Sequence, residues 1–147
     1  MKLQKDLREF IELLNSMDVK YVMVGGHAVA YHGFPRFTAD IDFFIDCART
    51  NTRKLAELVT TFGFKSLAND LTSAEPGMVF QLGRPPHRID LLTSIDGVTF
   101  EEAWESRVSA VVDGLKVPML SKELLLRNKR SSGRAKDLED LNQLEGE

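Results

Sequence analysis

Asp40 and Asp42 stand two residues apart in the segment Asp-Ile-Asp-Phe-Phe-Ile-Asp that runs from residue 40 to 46. In an extended chain, side chains at i and i+2 share one face about 6.6 Å apart. At an effective dielectric of about 20, two negative charges at that spacing repel by roughly 2.5 kcal/mol. Such a pair does nothing for stability on an otherwise apolar strand. It becomes useful when the site holds a divalent cation, because magnesium takes one or two carboxylates and completes its shell with phosphate oxygens and water. Asp90 offers a third carboxylate in Arg88-Ile89-Asp90-Leu91-Leu92, flanked by apolar residues much as Asp42 is. If the two segments are neighbouring strands, three aspartates converge. Gly25-Gly26 supplies the complementary half, a turn that exposes backbone N–H groups at the positive end of a following helix and has no side chain to block a phosphate.

These residues need elements to hold them. Leu3, Leu7, Phe10, Ile11 and Leu14 recur at helical spacing and predict a first amphipathic helix ending near Asn15 or Ser16. Tyr21 to Val24 reads as a short buried strand, Gly25-Gly26 as its turn, and His27 to His32 as a short helix closed by Gly33 and Pro35. Residues 40 to 46 alternate at period two, with Ile41, Phe43 and Ile45 on one face and Asp40, Asp42 and Asp46 on the other. Leu55, Leu58, Val59 and Phe62 predict a helix opened by a Thr50 or Asn51 cap and ended by Gly63. Residues 65 to 77 are mostly polar and read as loop. Met78 to Leu82 and Arg88 to Thr93 read as two strands, and Pro85-Pro86 between them marks the connection because proline cannot sit in a central ladder. Val108 to Val112 and Leu115 to Val117 form a further hairpin about Asp113-Gly114. Ser121 caps a helix to about Arg130, Ser131-Ser132-Gly133 breaks it, and Ala135, Leu138 and Leu141 support a last helix. Interleaved helices and strands place the chain in the α/β or α+β class, built around one mixed sheet.

The chain has 147 residues, a length at which one hydrophobic core is stable without staples, so one domain over residues 1–147 is expected. One cysteine, Cys47, excludes an internal disulfide framework, and residues 1–14 do not have the pattern of a secretion signal. A cytoplasmic home is the expectation. No apolar run approaches the ~18 residues of a membrane span. With 19 basic against 22 acidic residues the chain as a whole is no electrostatic binder of nucleic acid. Lys122, Arg127, Lys129, Arg130, Arg134 and Lys136 nevertheless cluster in one stretch, either a patch that meets phosphates or a set of solvated helix faces.

The run Val24-Gly25-Gly26-His27-Ala28, followed by Pro35-Arg36-Phe37-Thr38-Ala39-Asp40-Ile41-Asp42, resembles the signature of the DNA polymerase β nucleotidyltransferase superfamily. That signature is a Gly-Gly or Gly-Ser turn, an Asp-x-Asp strand, and an acidic residue on a later strand. The similarity is greatest to the small bacterial members, including the nucleotidyltransferase components of toxin–antitoxin and abortive-infection systems. It extends through Arg88 to Leu92 and the tail Gly133-Arg134-Ala135-Lys136-Asp137-Leu138, which resembles the family's Arg-x-Lys-Asp ending. The resemblance implies a nucleotidyltransferase fold with short C-terminal helices and Mg²⁺ (or Mn²⁺) as cofactor. It implies an NTP as substrate and transfer of its NMP to a hydroxyl of RNA, protein or a small molecule. Asp40, Asp42 and Asp90 would be the metal ligands and catalytic carboxylates, with Asp90 helping to deprotonate the acceptor. Gly25 and Gly26 would contact the phosphates, and Arg36 and Lys136 would neutralise charge on the triphosphate. The turn carries Gly26 where many members use Ser, and only about thirty residues follow the last hairpin, so the acceptor domain of the larger enzymes has no counterpart in this sequence.

A second reading is a binding module that acts on or with a helical toxin or antitoxin partner; a homo-oligomer that completes the site is a further expectation. A metal-dependent nuclease would want a Lys close after Asp90, and the chain is too short for the usual fold of sugar transferases that use Asp-x-Asp. Asp90 can also simply pair with Arg88. His27 reads as packed or capping, His32 and His87 as structural or surface residues, Phe100 and Trp104 as core, and Cys47 as inert.

Overall fold

The computed structural model describes residues 4–33, 40–84 and 87–145. Among them are six strands, seven α-helices and one 3-10 turn. The strands β1 (Tyr21–Val24), β2 (Ile41–Ile45), β3 (Val79–Leu82), β4 (Ile89–Leu92), β5 (Val108–Val112) and β6 (Leu115–Met119) form one sheet in the order β3-β4-β2-β1-β6-β5. The sheet is mixed. Pairs β1/β2, β3/β4 and β5/β6 are antiparallel, while β2/β4 and β1/β6 are parallel. This is the α+β architecture that the interleaved elements predict.

Central strand β1 is apolar on both faces, and β2 is so apart from Asp42, because helices cover both. On one side, α1 (Lys5–Ser16) lays Phe10 against Phe43, ring centroids 6.0 Å apart, and Tyr21 meets Phe43 edge-on at 5.3 Å. On the other, Phe44 meets Phe100 of α5 (Phe100–Glu105) edge-on at 5.2 Å. Phe44 is the residue that departs from simple alternation: it lies on the same face as Asp42 and is buried.

Three local expectations are corrected. The helix α3 (Arg49–Thr61) starts one to two residues before Thr50 and Asn51, with Ala48 as N-cap and no side-chain cap. Asn51 is instead buried and ties two chain segments: its Oδ1 accepts from Lys20 N at 2.7 Å, and its Nδ2 donates to Lys20 O and Asp46 O. Residues 65–77 are not simply loop. A 3-10 turn, Lys65–Leu67, runs into α4 (Ala68–Thr72), which Leu71 anchors by complete burial. A single apolar anchor in a five-residue helix leaves no periodicity to read. The helix α2 (Gly25–Tyr31) begins at the glycines themselves rather than after them.

The remaining C-terminal elements follow the sequence. Ser121 Oγ accepts from Leu124 N at 3.3 Å and opens α6 (Lys122–Ser132), which Gly133 ends with φ of 63°, and α7 (Ala135–Glu145) folds back against it. No helix of the described residues is long and apolar enough to cross a membrane.

Candidate active site

Parallel pairing of β2 with β4 puts Asp42 opposite Asp90 in register. Antiparallel pairing of β1 with β2 puts Asp42 opposite Val24, the residue before the glycine turn. One strand thus carries a carboxylate between the turn and the third aspartate, as the sequence predicts. Asp40 immediately precedes β2 on the same face.

The turn and the carboxylate are in direct contact. A Cβ on Gly25 would lie 2.2 Å from Asp42 Oδ2 and 3.1 Å from its Cγ, and Gly25 has φ of 70°, a conformation L side chains rarely adopt. Space and backbone both require glycine there. Burial, followed by the nearby charge and hydrogen-bond contact of Asp90 and then by the charge of Asp40, pushes the Asp42 carboxyl up to about 6 against the opposing pull of Arg88. Asp42 and Asp90 are thus charge neighbours across the β2/β4 ladder.

Arg88 stands among the acids. Its Nε donates to Asp90 Oδ1 at 2.8 Å and its Nη2 to Asp90 Oδ2 at 3.1 Å, and Nη2 forms an ion pair with Asp40 Oδ2 at 2.9 Å. The pairing of Asp90 with Arg88 that the sequence leaves open is thus present, and it extends to Asp40. Asp40 Oδ1 is buried without a hydrogen-bond partner. Among the described residues no group of three or more His, Cys, Asp or Glu side chains is arranged to hold a metal ion. In donor type the acids fit a hard divalent cation, since all are carboxylate oxygens, two of them adjacent and one with an unused buried oxygen. In placement, the Arg88 guanidinium already occupies Asp40 and Asp90.

The basic candidates divide. Arg36 lies outside the described residues. Lys136 is exposed on the first turn of α7. Arg134, two residues earlier, is near enough to Asp42 and Asp96 to feel their charges, and its Nε donates to Asp137 Oδ2 at 2.6 Å. Most of the rest of the basic cluster is engaged internally. Arg127 pairs with Glu102 at 2.6 Å and Arg130 with Glu145 at 3.2 Å. Lys129 is buried between Asp137 at 3.1 Å and Asp140 at 3.2 Å. Burial would raise the Asp137 carboxyl, but hydrogen bonds from Arg134, Ser132 and Lys129 hold it well below the usual carboxylate range. The tail motif is therefore in large part a buried ionic joint between α6 and α7, which the run of charges did not reveal because lysine is almost never buried without partners.

The other singled-out residues behave as the plainer reading has it. His27 is buried, and burial lowers its pKa. His32 Nε2 lies 2.6 Å from the Leu120 carbonyl oxygen. Trp104 stacks on Phe100 and carries the Arg107 guanidinium 3.8 Å from its ring centroid. Burial raises the Cys47 thiol, as expected of an inert cysteine. A cavity of about 210 Å³ beside α2, lined by Met23, His27, Tyr31 and Met119 among others, contains none of the three aspartates. Met23 pairs with Phe43 in the ladder and so faces away from Asp42.

Solved structures share this architecture. A candidate nucleotidyltransferase from Thermotoga maritima superposes with a TM-score of 0.63 at 18% identity, over 95% of this chain and 90% of that one. A nucleotidyltransferase-like antigenic protein from Paracoccidioides brasiliensis gives 0.54 at 21% identity, over 92% and 72%. At such identities the likeness is one of fold. No curated protein matches the sequence. The sequence does match, over residues 1–145, the family described as nucleotidyltransferase of unknown function (DUF6036), and the chain belongs to that family.

Proposed function

We propose that the chain is a divalent-cation-dependent nucleotidyltransferase that moves an NMP from an NTP to an acceptor hydroxyl of RNA, protein or a small molecule and releases pyrophosphate. The observation that carries this is the register of Asp42 against Asp90 on adjacent parallel strands, with the Asp42 carboxylate pressed on the Gly25 turn. In the reaction the acceptor oxygen bonds to the α-phosphorus, the bond to the bridging oxygen breaks, and the hydroxyl proton passes to Asp90. A bound Mg²⁺ or Mn²⁺ would neutralise phosphate charge and lower the pKa of the acceptor hydroxyl. Asp40 and Asp42 would hold it, and Asp90 would complete the set. Backbone N–H groups at the start of α2 would receive phosphate oxygens, since the helix end there carries a partial positive charge. Lys136, exposed on the first turn of α7, would be a cation for the departing pyrophosphate.

Incubation of the purified protein with each α-labelled NTP, Mn²⁺ and a cell extract is expected to transfer label to one extract component. Asp42→Asn should lower that transfer by about a hundredfold or more, the scale of losing a group that stabilises transition-state charge. Absence of transfer with all four nucleotides, or transfer unchanged in Asp42→Asn, would reject the proposal. The binding-module reading has one observation in its favour: Val111, on the edge strand β5, is 68% exposed, and Tyr31 beside the cavity is 43% exposed. Co-purification with a helical partner encoded alongside the chain would support it, and a partner that carries the label would join the two readings.

A further inference from the structure

We infer that Arg88 is a built-in stand-in for the metal: its guanidinium holds Asp40 and Asp90 in the cation-free protein, and a divalent ion gains the site only by displacing it. The inference rests on the three-carboxylate reading above and adds a residue and an exchange that reading does not require.

The geometry is specific. Two hydrogen bonds to Asp90 and an ion pair with Asp40, at 2.8 to 3.1 Å, tie one guanidinium to carboxylates on β4 and just before β2, and the planar fork of arginine suits such bridging in a way a lysine ammonium does not. Without a cation, Asp40, Asp42 and Asp90 would face one another with nothing between them, and two adjacent carboxylates already repel. Arg88 relieves that repulsion at two of the three. It leaves the buried Oδ1 of Asp40 without a hydrogen-bond partner.

Displacement needs little of the fold to move. The Arg88 carbonyl accepts from Ile41 N at 3.1 Å, so its backbone is fixed beside β2. Its side chain is 26% exposed and comes from the residue just before β4, so the guanidinium can rotate outward about its own torsions. Once out, it stays beside the site as a free cation, and the anion it suits is a phosphate oxygen of the nucleotide that accompanies the metal. Arg88 in this account is a positioning residue and not a catalytic one.

The test is Mn²⁺ binding without nucleotide, read from the electron paramagnetic resonance signal of the free ion, for wild type, Arg88→Gln, Arg88→Lys and the double variant Arg88→Gln/Asp42→Asn. Arg88→Gln is expected to bind Mn²⁺ at least about tenfold more tightly than wild type, within the usual range of coupling between two competing ligands. Arg88→Lys keeps the charge, preserves folding if the glutamine variant loses it, and should bind about threefold more tightly because an ammonium spans two carboxylates poorly. Equal affinity in wild type and both variants would overturn the exchange while leaving the carboxylate site in place. Binding in Arg88→Gln that survives Asp42→Asn, or no binding in any variant, would overturn the carboxylate site as well.

Discussion

A methyl group on residue 25 would land 2.2 Å from Asp42 Oδ2, in a backbone conformation that costs a non-glycine residue roughly 1–2 kcal/mol. Gly25→Ala is therefore expected to lower stability by at least about 1 kcal/mol in urea unfolding and to push the Asp42 carboxylate out of place. The same argument with opposite sign applies to Asp42 itself. Asp42→Asn removes one of the crowded charges, so the cation-free variant should gain about 1 kcal/mol, roughly 2–4 °C in melting temperature, while losing transfer activity. A stabilised but inactive protein is what a charge held for function predicts. At this scale the sequence was informative where chemistry constrains type and spacing: Asp40, Asp42 and Gly25 could be picked out because carboxylates on an apolar strand and paired glycines after one have few plain explanations. Arg88 could not. A single arginine two residues before Asp90 has many, and only the crossing of β4 beside β2 shows that it reaches Asp40.

The α6–α7 pair is the element with the sharpest energetic signature. Lys129, Asp137 and Asp140 are each at most 7% exposed, so removing the lysine takes away the cation buried between two acids. Lys129→Met is expected to destabilise by about 3–5 kcal/mol, against less than about 1 kcal/mol for Arg130→Ala, which breaks only the exposed pair with Glu145. The pH dependence follows from Asp137. Its folded pKa is held below the ordinary value of 3.8, so the stability it contributes is fully present above about pH 4 and is lost as pH falls through the folded pKa. Acid titration of helical circular dichroism should show that loss in wild type, and Asp137→Asn should flatten it. From sequence, α6 was legible through its Ser121 cap and Gly133 stop, because caps are local. The joint was not, because six basic residues in one stretch look the same whether they face solvent or one of them is buried against the next helix.

Over the whole molecule, the decisive arrangement is non-local. Asp42 and Asp90 are far apart in the chain and meet only because β4 inserts parallel to β2, an order that strand patterns do not specify. The hairpins β3–β4 and β5–β6 were readable from Pro85-Pro86 and Asp113-Gly114, whereas how they dock on β1 and β2 was not, since that depends on which apolar faces meet. If the proposed site is assembled there, ligands should brace the entire fold. Mn²⁺ with the cognate NTP at a hundred times its dissociation constant is expected to add about 2.7 kcal/mol. Thermal melting should then rise by roughly 5–10 °C in wild type. Asp42→Asn should show no such rise.

The contact of Gly25 with Asp42 has a last consequence. The start of α2 and the middle of β2 touch atom to atom, so neither can shift without moving the other. A nucleotide seated on the helix and an ion seated on the strand would then form a closed thermodynamic square, in which each alters the other's dissociation constant by the same factor. Either one could be titrated blind, with the other serving as its gauge.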